Sequence, residues 1–350
     1  MELTLIFDYI IISIIASIAI NSLLRNYAKK YKFLVDIPDR SRKFHKRPTP
    51  LTGGISILIA MLISSKLYID LNNLNGYVPE FTYNLMLVSI PLLILFLIDD
   101  YKGLTPFYRL LIQIMSSLFI IQTTNVYLLN LGDLFGFGEI NLGIFGIPIT
   151  LFCIVGVMNA FNMIDGVNGL CSGCAMVSMI LVGFYSGLVY DSMLILLIGS
   201  IIGFLIFNLR VFGKQRGVFL GDSGSNLIGF WVAWISIYAS QNQLYSVYSI
   251  TLLWFIAIPF LDCIGLIFSR FFKQKSITSA GRDHIHHKLL KKYSPESTLF
   301  IIIVLSFATG MFGIYLNNIY PSFVSVYCFI IYALLYYTYT YYYLSYKTKT

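Results

Sequence analysis

The sequence predicts an all-α polytopic membrane protein, and three observations carry that reading. The chain is 57% hydrophobic and only 11% charged, and its mean hydropathy of +0.78 means more apolar surface than one soluble core of 350 residues could bury. Apolar runs of about 17 to 23 residues recur along the chain, each long enough to cross roughly 30 Å of hydrocarbon at about 1.5 Å per residue. Between these runs, the lysines and arginines are gathered into a few short stretches.

The runs lie near 7 to 24, 51 to 69, 82 to 98, 107 to 123, 143 to 159, 170 to 189, 191 to 208, 225 to 241, 246 to 268, 298 to 316 and 321 to 343. They make about eleven transmembrane helices in a single integral membrane domain over 1–350. Lysines and arginines cluster at 25 to 47, 102 to 109, 210 to 216, 270 to 292 and 347 to 349, with only Lys66 elsewhere. If the spans alternate, all but Lys66 fall on one side. The positive-inside rule makes that side cytoplasmic, with the N-terminus out and the C-terminus in. The net charge of +8 then reflects topology and contact with anionic lipid, and nucleic acid is excluded as a partner.

Glu2 and Asp8 stand where a cleaved signal would carry basic residues, so the first run reads as a retained helix. Cys153, Cys171, Cys174, Cys263 and Cys328 lie in or beside the runs and read as packing residues, the Cys171 and Cys174 pair included. The tyrosine-rich end, with Lys347 and Lys349, reads as an interfacial aromatic belt.

The acids on the inner side hold the chemistry. Asp99 and Asp100 end the third run in "LIDDYKGLTPFYR", Asp165 lies in "NAFNMIDGVNGL", Asp222 in "GVFLGDSGSN", Asp262 in "IPFLDC" within the ninth run, and Asp283 in "AGRDHIHHKLL". Each fragment alone also has a plain reading: an acid pair is often a solvated helix end, and "GDSGS" a turn and N-cap. Two adjacent carboxylates repel, however, and a hard divalent cation would relieve that cost. The glycines of "GDSGS" would let backbone N–H groups approach a phosphate. "HIHH" lacks the four-ligand spacing of a zinc site and, beside Arg282 and Lys288, suits phosphate better. An acid inside a span, such as Asp262, is expensive unless it faces a cavity or a partner. The first long loop packs Arg40, Arg42, Lys43, Lys46 and Arg47 ahead of Gly53 and Gly54, a pair that suggests close approach by another segment or a ligand. Together, carboxylates for a cation, bases for phosphates and polar turns for a nucleoside converge on the inner face. That is the inventory of phosphoryl-group chemistry on a membrane substrate.

In this order, "DRSRKFHKRPTPLTGGI", "LIDDYKGL", "NAFNMIDGVNGL", "FLGDSGSNLIGF", "PFLD" and "GRDHIHHKLL" resemble the signature loops of the polyprenyl-phosphate N-acetylhexosamine-1-phosphate transferases, most closely the WecA/TagO-like branch of the MraY superfamily. The likeness runs from about Arg40 to Leu290. It implies transfer of a hexosamine 1-phosphate, most readily GlcNAc 1-phosphate, from a UDP-N-acetylhexosamine to undecaprenyl phosphate. UMP is released, as the initiating step of a cell-envelope polysaccharide at the bacterial cytoplasmic membrane. It also implies Mg²⁺ or Mn²⁺. Carried over, Asp99 and Asp100 are the active-site acid pair and Asp222 a metal ligand, with one or both of the pair assisting. Asn159, Asn162 and Asp165 line the nucleotide pocket, and His284, His286 and His287 with Arg282 meet the diphosphate. Lys46 of the first loop offsets phosphate charge, and Asp262 is placed with the substrate-binding residues. A homodimer is left open.

The sequence departs from the family pattern at Asn168, where an aspartate is usual, and at "SITSA", where "SPF" is expected before the histidines. An amide can still bond the uracil imide edge but cannot replace a charged carboxylate, so Asn168 is assigned to nucleotide and not to metal. Other readings compatible with the spans are a flippase for a lipid-linked sugar, a phosphatase acting on polyprenyl diphosphates, and a MurNAc-pentapeptide phosphotransferase of the same superfamily. Metal-dependent UMP release separates the first two from a transferase.

Overall fold

The computed structural model describes residues 3–38, 47–72, 80–188, 192–242, 247–272, 274 and 283–343. Thirteen α-helices account for almost all of their regular structure. In chain order these are α1 (Leu3–Tyr31), α2 (Gly53–Leu71), α3 (Glu80–Lys102), α4 (Pro106–Thr124), α5 (Gly146–Ile164), α6 (Leu170–Ser186) and α7 (Ser192–Asn208). There follow α8 (Gly221–Gln241), α9 (Ser249–Phe255), α10 (Ala257–Phe272), α11 (Ile285–Leu290), α12 (Pro295–Ile319) and α13 (Ser322–Tyr337). Among the described residues six helices, Phe7–Tyr31, Gly53–Leu71, Phe81–Lys102, Gly143–Ile164, Pro295–Ile319 and Ser322–Thr340, are long and apolar enough to cross a membrane, and the bent pair α9 and α10 makes up to seven. The protein is therefore an all-α, multi-pass membrane protein.

Every expected run coincides with a helix, but the ninth is not one rod. The chain bends by 84° between α9 and α10. Pro259 explains it: the ring has no N–H to give and collides with the carbonyl four residues back, that of Phe255. The Ser178 hydroxyl donates to that Phe255 carbonyl at 2.8 Å, so the break leaves it satisfied. Two small elements were not anticipated. A two-stranded antiparallel pair, β1 (Val35–Asp36) with β2 (Thr49–Pro50), is too short to show a periodicity, as is the six-residue helix α11.

The chain divides into two compact units. The first comprises residues within 1–124 and 189–228, hence α1 to α4, β1, β2, α7 and the opening turns of α8. In it α1 lies on α7 through small residues. Gly199 and Gly203 meet Ser13 and Ser17 where a Cβ could not fit, and the Ser17 hydroxyl donates to the Ser200 carbonyl at 2.7 Å. Ser56 of α2 donates to Asn21 of α1 at 2.7 Å. The extended stretch before α8 is held beside β2: Phe219 N–H donates to the Pro50 carbonyl (2.8 Å), and Gly53 and Gly54 N–H donate back to Phe219 (3.0 Å) and Leu220 (3.2 Å). A Cβ on Gly54 would lie 2.6 Å from the Gly224 Cα, so the expected close approach at the glycine pair is the meeting of the α2 and α8 N-termini.

The second unit comprises residues within 125–188 and 229–350, with α5, α6, the rest of α8 and α9 to α13. Its core centres on Trp254, fully buried, with the indole N–H donating to Ser325 at 3.0 Å. Phe329 and Phe312 stand edge-on to the indole at 4.9 and 5.4 Å. The Asn317 amide N–H of α12 donates to the Thr251 hydroxyl of α9 at 2.5 Å, a polar contact across helices in an apolar surrounding.

Candidate active site

The first unit carries the acids. Asp99 and Asp100 occupy the last turn of α3, and Gly103, at φ +69, turns the chain into α4. The turn brings Arg109, in the first turn of α4, back onto Asp99. Asp99, 2% exposed, accepts at Oδ1 from the Leu104 N–H (2.6 Å) and from Arg109 Nε (3.1 Å). Its Oδ2 lies 2.9 Å from the same Nε, yet is buried without a hydrogen bond. The other end of the guanidinium pairs with Asp222, Nη1 to Oδ2 at 3.0 Å. One cation thus bridges two carboxylates far apart in sequence.

Asp100 is used differently. Its Oδ1 accepts from the Asp222 N–H (2.8 Å) and its Oδ2 from the Ser223 N–H (3.1 Å), which are the free donors that open α8. Gly221, at φ +80, makes the turn into the helix, and a Cβ there would stand 2.7 Å from Asp100 Oδ2. Asp100 therefore fixes the helix end that carries Asp222. Asn226, one turn on, donates to the Asp222 carbonyl (2.8 Å) and accepts from Gln113 of α4 (2.8 Å).

The second unit carries the amides and histidines. Asn159 and Asn162 lie in the last two turns of α5, half-buried, and Asn159 donates to the Val155 carbonyl at 2.8 Å. Asp165 and Gly166 are exposed in the turn into α6, where Asn168 is half-buried. A Cβ on Gly166 would run into the His286 ring, so the "NAFNMIDGVNGL" turn packs directly on the histidine motif. Asp262 of α10, 3% exposed, holds that motif in place. Its Oδ2 accepts from His284 Nδ1 at 2.8 Å and its Oδ1 from the Ile285 N–H at 2.8 Å, capping α11. Nδ1 donates to the carboxylate, which leaves Nε2 as the ring nitrogen that Asp262 does not engage. His284 stacks on His286 (5.3 Å, 15°), and His286 lies 4.2 Å from the half-buried His287, ring centre to centre. His286 is 1% exposed and neither ring nitrogen has a partner. Burial, with the neighbouring His287 and His284, pushes its pKa down to about 2, so the ring is neutral.

Two expectations change with these placements. Asp262 was expected on substrate, but both its oxygens face His284 and the start of α11. His286 was expected to meet diphosphate, but it lies enclosed beneath the Gly166 turn. Arg282 and Lys46 lie outside the described residues. Arg109 and Asn226 were missed, although both stand in the quoted motifs. Ten residues after Asp99, Arg109 has no helical or strand register with it, and only the turn at Gly103 brings the two together.

Among the described residues no group of three or more His, Cys, Asp and Glu side chains converges as a metal cage. Asp99 and Asp222 nevertheless suit a hard cation of the Mg²⁺ kind, which takes one or two carboxylates and completes its shell with water and substrate phosphate. Asp99 Oδ2 has no hydrogen bond to lose, and the pair already brackets one positive charge. Asp100, with an amide on each oxygen, fits the positioning role better than that of a ligand.

Comparison with known proteins gives a consistent assignment. The profile of glycosyl transferase family 4 matches residues 82–240. The undecaprenyl-phosphate alpha-N-acetylglucosaminyl 1-phosphate transferase of Escherichia coli O157:H7 is 33% identical over 322 residues, covering 89% of this chain and 84% of that protein. The proteins of that name from Yersinia pestis and Haemophilus influenzae are 33% and 34% identical, over 87% and 88% of this chain and 83% and 86% of their own lengths. With relatives of this identity matched over most of both chains, and with the motif acids and histidines ordered as above, the protein belongs to the polyprenyl-phosphate N-acetylhexosamine-1-phosphate transferases of glycosyl transferase family 4.

Proposed function

We propose that this chain transfers GlcNAc 1-phosphate from UDP-GlcNAc to undecaprenyl phosphate, releasing UMP, as the first membrane step of an envelope polysaccharide. The observation that carries the reading is the bracketing of one cation by Asp99 and Asp222 at the opening of α8. A site built to gather negative charge around a positive centre suits a reaction that brings a phosphate anion up to a diphosphate. The names of the relatives supply the acceptor and the transferred group.

The lipid phosphate, with a second pKa of about 6, is largely dianionic at neutral pH and needs no strong base. It attacks the β-phosphorus of the donor in line; the new P–O bond forms as the bond to UMP breaks, and UMP leaves with the electron pair. Mg²⁺ or Mn²⁺ held by Asp99 and Asp222 would supply neutralisation of diphosphate oxygens. Arg109 offers a second positive centre beside the two carboxylates. Asp100 keeps the α8 N-terminus, and with it Asp222, in register. Asn159, Asn162, Asp165 and Asn168 bind the uridine side, with Asn168 on the imide edge. His284 and His287 with Arg282 meet phosphate, Lys46 offsets acceptor charge, and Asp262 and His286 support the histidine loop from within. The whole of 1–350 works as one transferase domain with about eleven crossings, N-terminus out and C-terminus in, in the bacterial cytoplasmic membrane.

The test is to incubate membranes carrying the protein with undecaprenyl phosphate, Mg²⁺ and each of several UDP-N-acetylhexosamines, with and without EDTA. UMP and a lipid-linked sugar diphosphate should form with UDP-GlcNAc and be lost in EDTA. Folded protein that releases no UMP from any donor would overturn the reading.

A further inference from the structure

The first unit holds a second basic feature that the transfer reaction does not use. A pocket of about 470 Å³ is lined by Arg25 and Lys29 of α1 and by Phe212, Lys214, Gln215 and Arg216 of the segment between α7 and α8. Arg25 and Lys29 are four apart and share one face of the helix. The Lys29 ammonium donates to the Gln215 carbonyl at 2.7 Å, which pins the segment to α1. Arg216 stands near enough to Arg25 for their charges to repel, and Arg25 and Arg47 likewise act on Lys29. Among the described residues none of the four lining cations has an ion pair, and the buried Arg25 Nε has no hydrogen-bond partner. Four like charges line this open pocket, and the Arg25 Nε is buried with its donor unmet; an anion would answer both.

The surroundings say which anion. At 29 residues, α1 is about 43 Å long at about 1.5 Å per residue, well beyond a hydrocarbon core of roughly 30 Å. Its last turns, with Arg25 and Lys29, therefore belong at headgroup level, on the side that the distribution of lysine and arginine makes cytoplasmic. Beside the pocket the chain exposes Leu209, Val211 and Phe212, a suitable flank for acyl chains and a poor one for a water-soluble anion. We infer that this pocket binds the phosphate headgroup of an anionic phospholipid of the inner leaflet, as a site separate from the acid cluster of Asp99 and Asp222.

The test uses the full chain in nanodiscs of phosphatidylcholine containing a minor fraction of phosphatidylglycerol, with retained phosphatidylglycerol counted by native mass spectrometry. The variants are Lys214→Gln with Arg216→Gln, separately Arg25→Gln, and as a control for general surface charge Lys291→Gln with Lys292→Gln. Lys214 and Arg216 are exposed, so their replacement does not threaten folding. The loop pair should lose retention by roughly 30-fold, at about fivefold per cation, and Arg25→Gln by a similar step, while the control pair retains it. Equal loss in the control would reduce the effect to diffuse attraction and overturn the proposal. Retention that is unchanged in the loop pair would overturn it too. A parallel arm adds inorganic phosphate or glycerol 1-phosphate. If either displaces the lipid at low millimolar concentration, the pocket reads a free phosphate ester and the lipid assignment fails.

Discussion

Asp262 and His284, 22 residues apart in the chain, meet at 2.8 Å between Oδ2 and Nδ1, with the acid 3% exposed. The same carboxylate receives the Ile285 N–H, so one buried acid sets both the ring and the helix that follows it. If Asp262 acts through His284, Asp262→Asn should reduce kcat by roughly 10- to 100-fold, in line with about 1.5–3 kcal/mol for a hydrogen bond to a charged group, and leave KM for the UDP-sugar nearly unchanged. Asp262→Glu should recover part of the loss. UMP-release kinetics give the split. A rise in KM with kcat intact would mean that Asp262 touches the donor after all.

Arg109 sits where a divalent cation would also be drawn. Arg109→Gln leaves Asp99 buried and uncompensated, so the variant should unfold at a lower temperature than the parent. Its midpoint should then rise more steeply with added Mg²⁺ than the parent's does, because the ion takes over the lost charge. Turnover should fall by about 10²- to 10³-fold, the usual cost of one electrostatic donor, and Arg109→Lys should recover little, lacking the fork that reaches both carboxylates. Equal Mg²⁺ response in variant and parent would show that the ion and the guanidinium do not compete for this pair.

Much of this arrangement was legible in the sequence, because apolar runs and punctuating acids are local features. Each run found its helix, and Gly53 and Gly54 announced the approach made by Phe219 to Gly224. What escaped were relations between distant residues. The 84° break came from Pro259 acting on the Phe255 carbonyl, which a hydropathy window averages away. Asp99, Asp100 and Asp222 looked alike as acids; only the backbone N–H groups at the start of α8 separate Asp100 from the other two. Asp262 read as an acid facing ligand because its partner, His284, is reached across a turn of chain and not along a helix.

Asp100 and Asp222 should therefore fail in different ways. Asp222→Asn should abolish turnover with an unfolding midpoint close to the parent's, since the amide keeps the side chain's shape. Asp100→Asn loses a charged acceptor at a helix N-terminus, where caps are worth about 0.5–2 kcal/mol, and should lower the midpoint while leaving residual turnover. Thermal unfolding in detergent alongside UMP release distinguishes them. Complete inactivity of Asp100→Asn at an unchanged midpoint would place Asp100 on the reacting groups.

His286 makes stability depend on pH with a definite sign. Its pKa is about 2 in the folded protein against 6.5 for a free side chain. Between those values the unfolded chain binds a proton that the folded one refuses, so stability rises with pH across the window. It is fully present above about pH 6.5 and drains away below it, at up to about 1.4 kcal/mol per pH unit from this one group. From this group alone the unfolding midpoint should fall between pH 7.5 and 5. His286→Gln, which cannot be protonated, should flatten that slope even if it is less stable at pH 7.5. Gly166→Ala should be destabilised at every pH, because its methyl enters the ring's place. A parent and a His286→Gln variant with parallel pH profiles would mean that His286 takes up its proton within the fold, beneath a turn that opens to admit it.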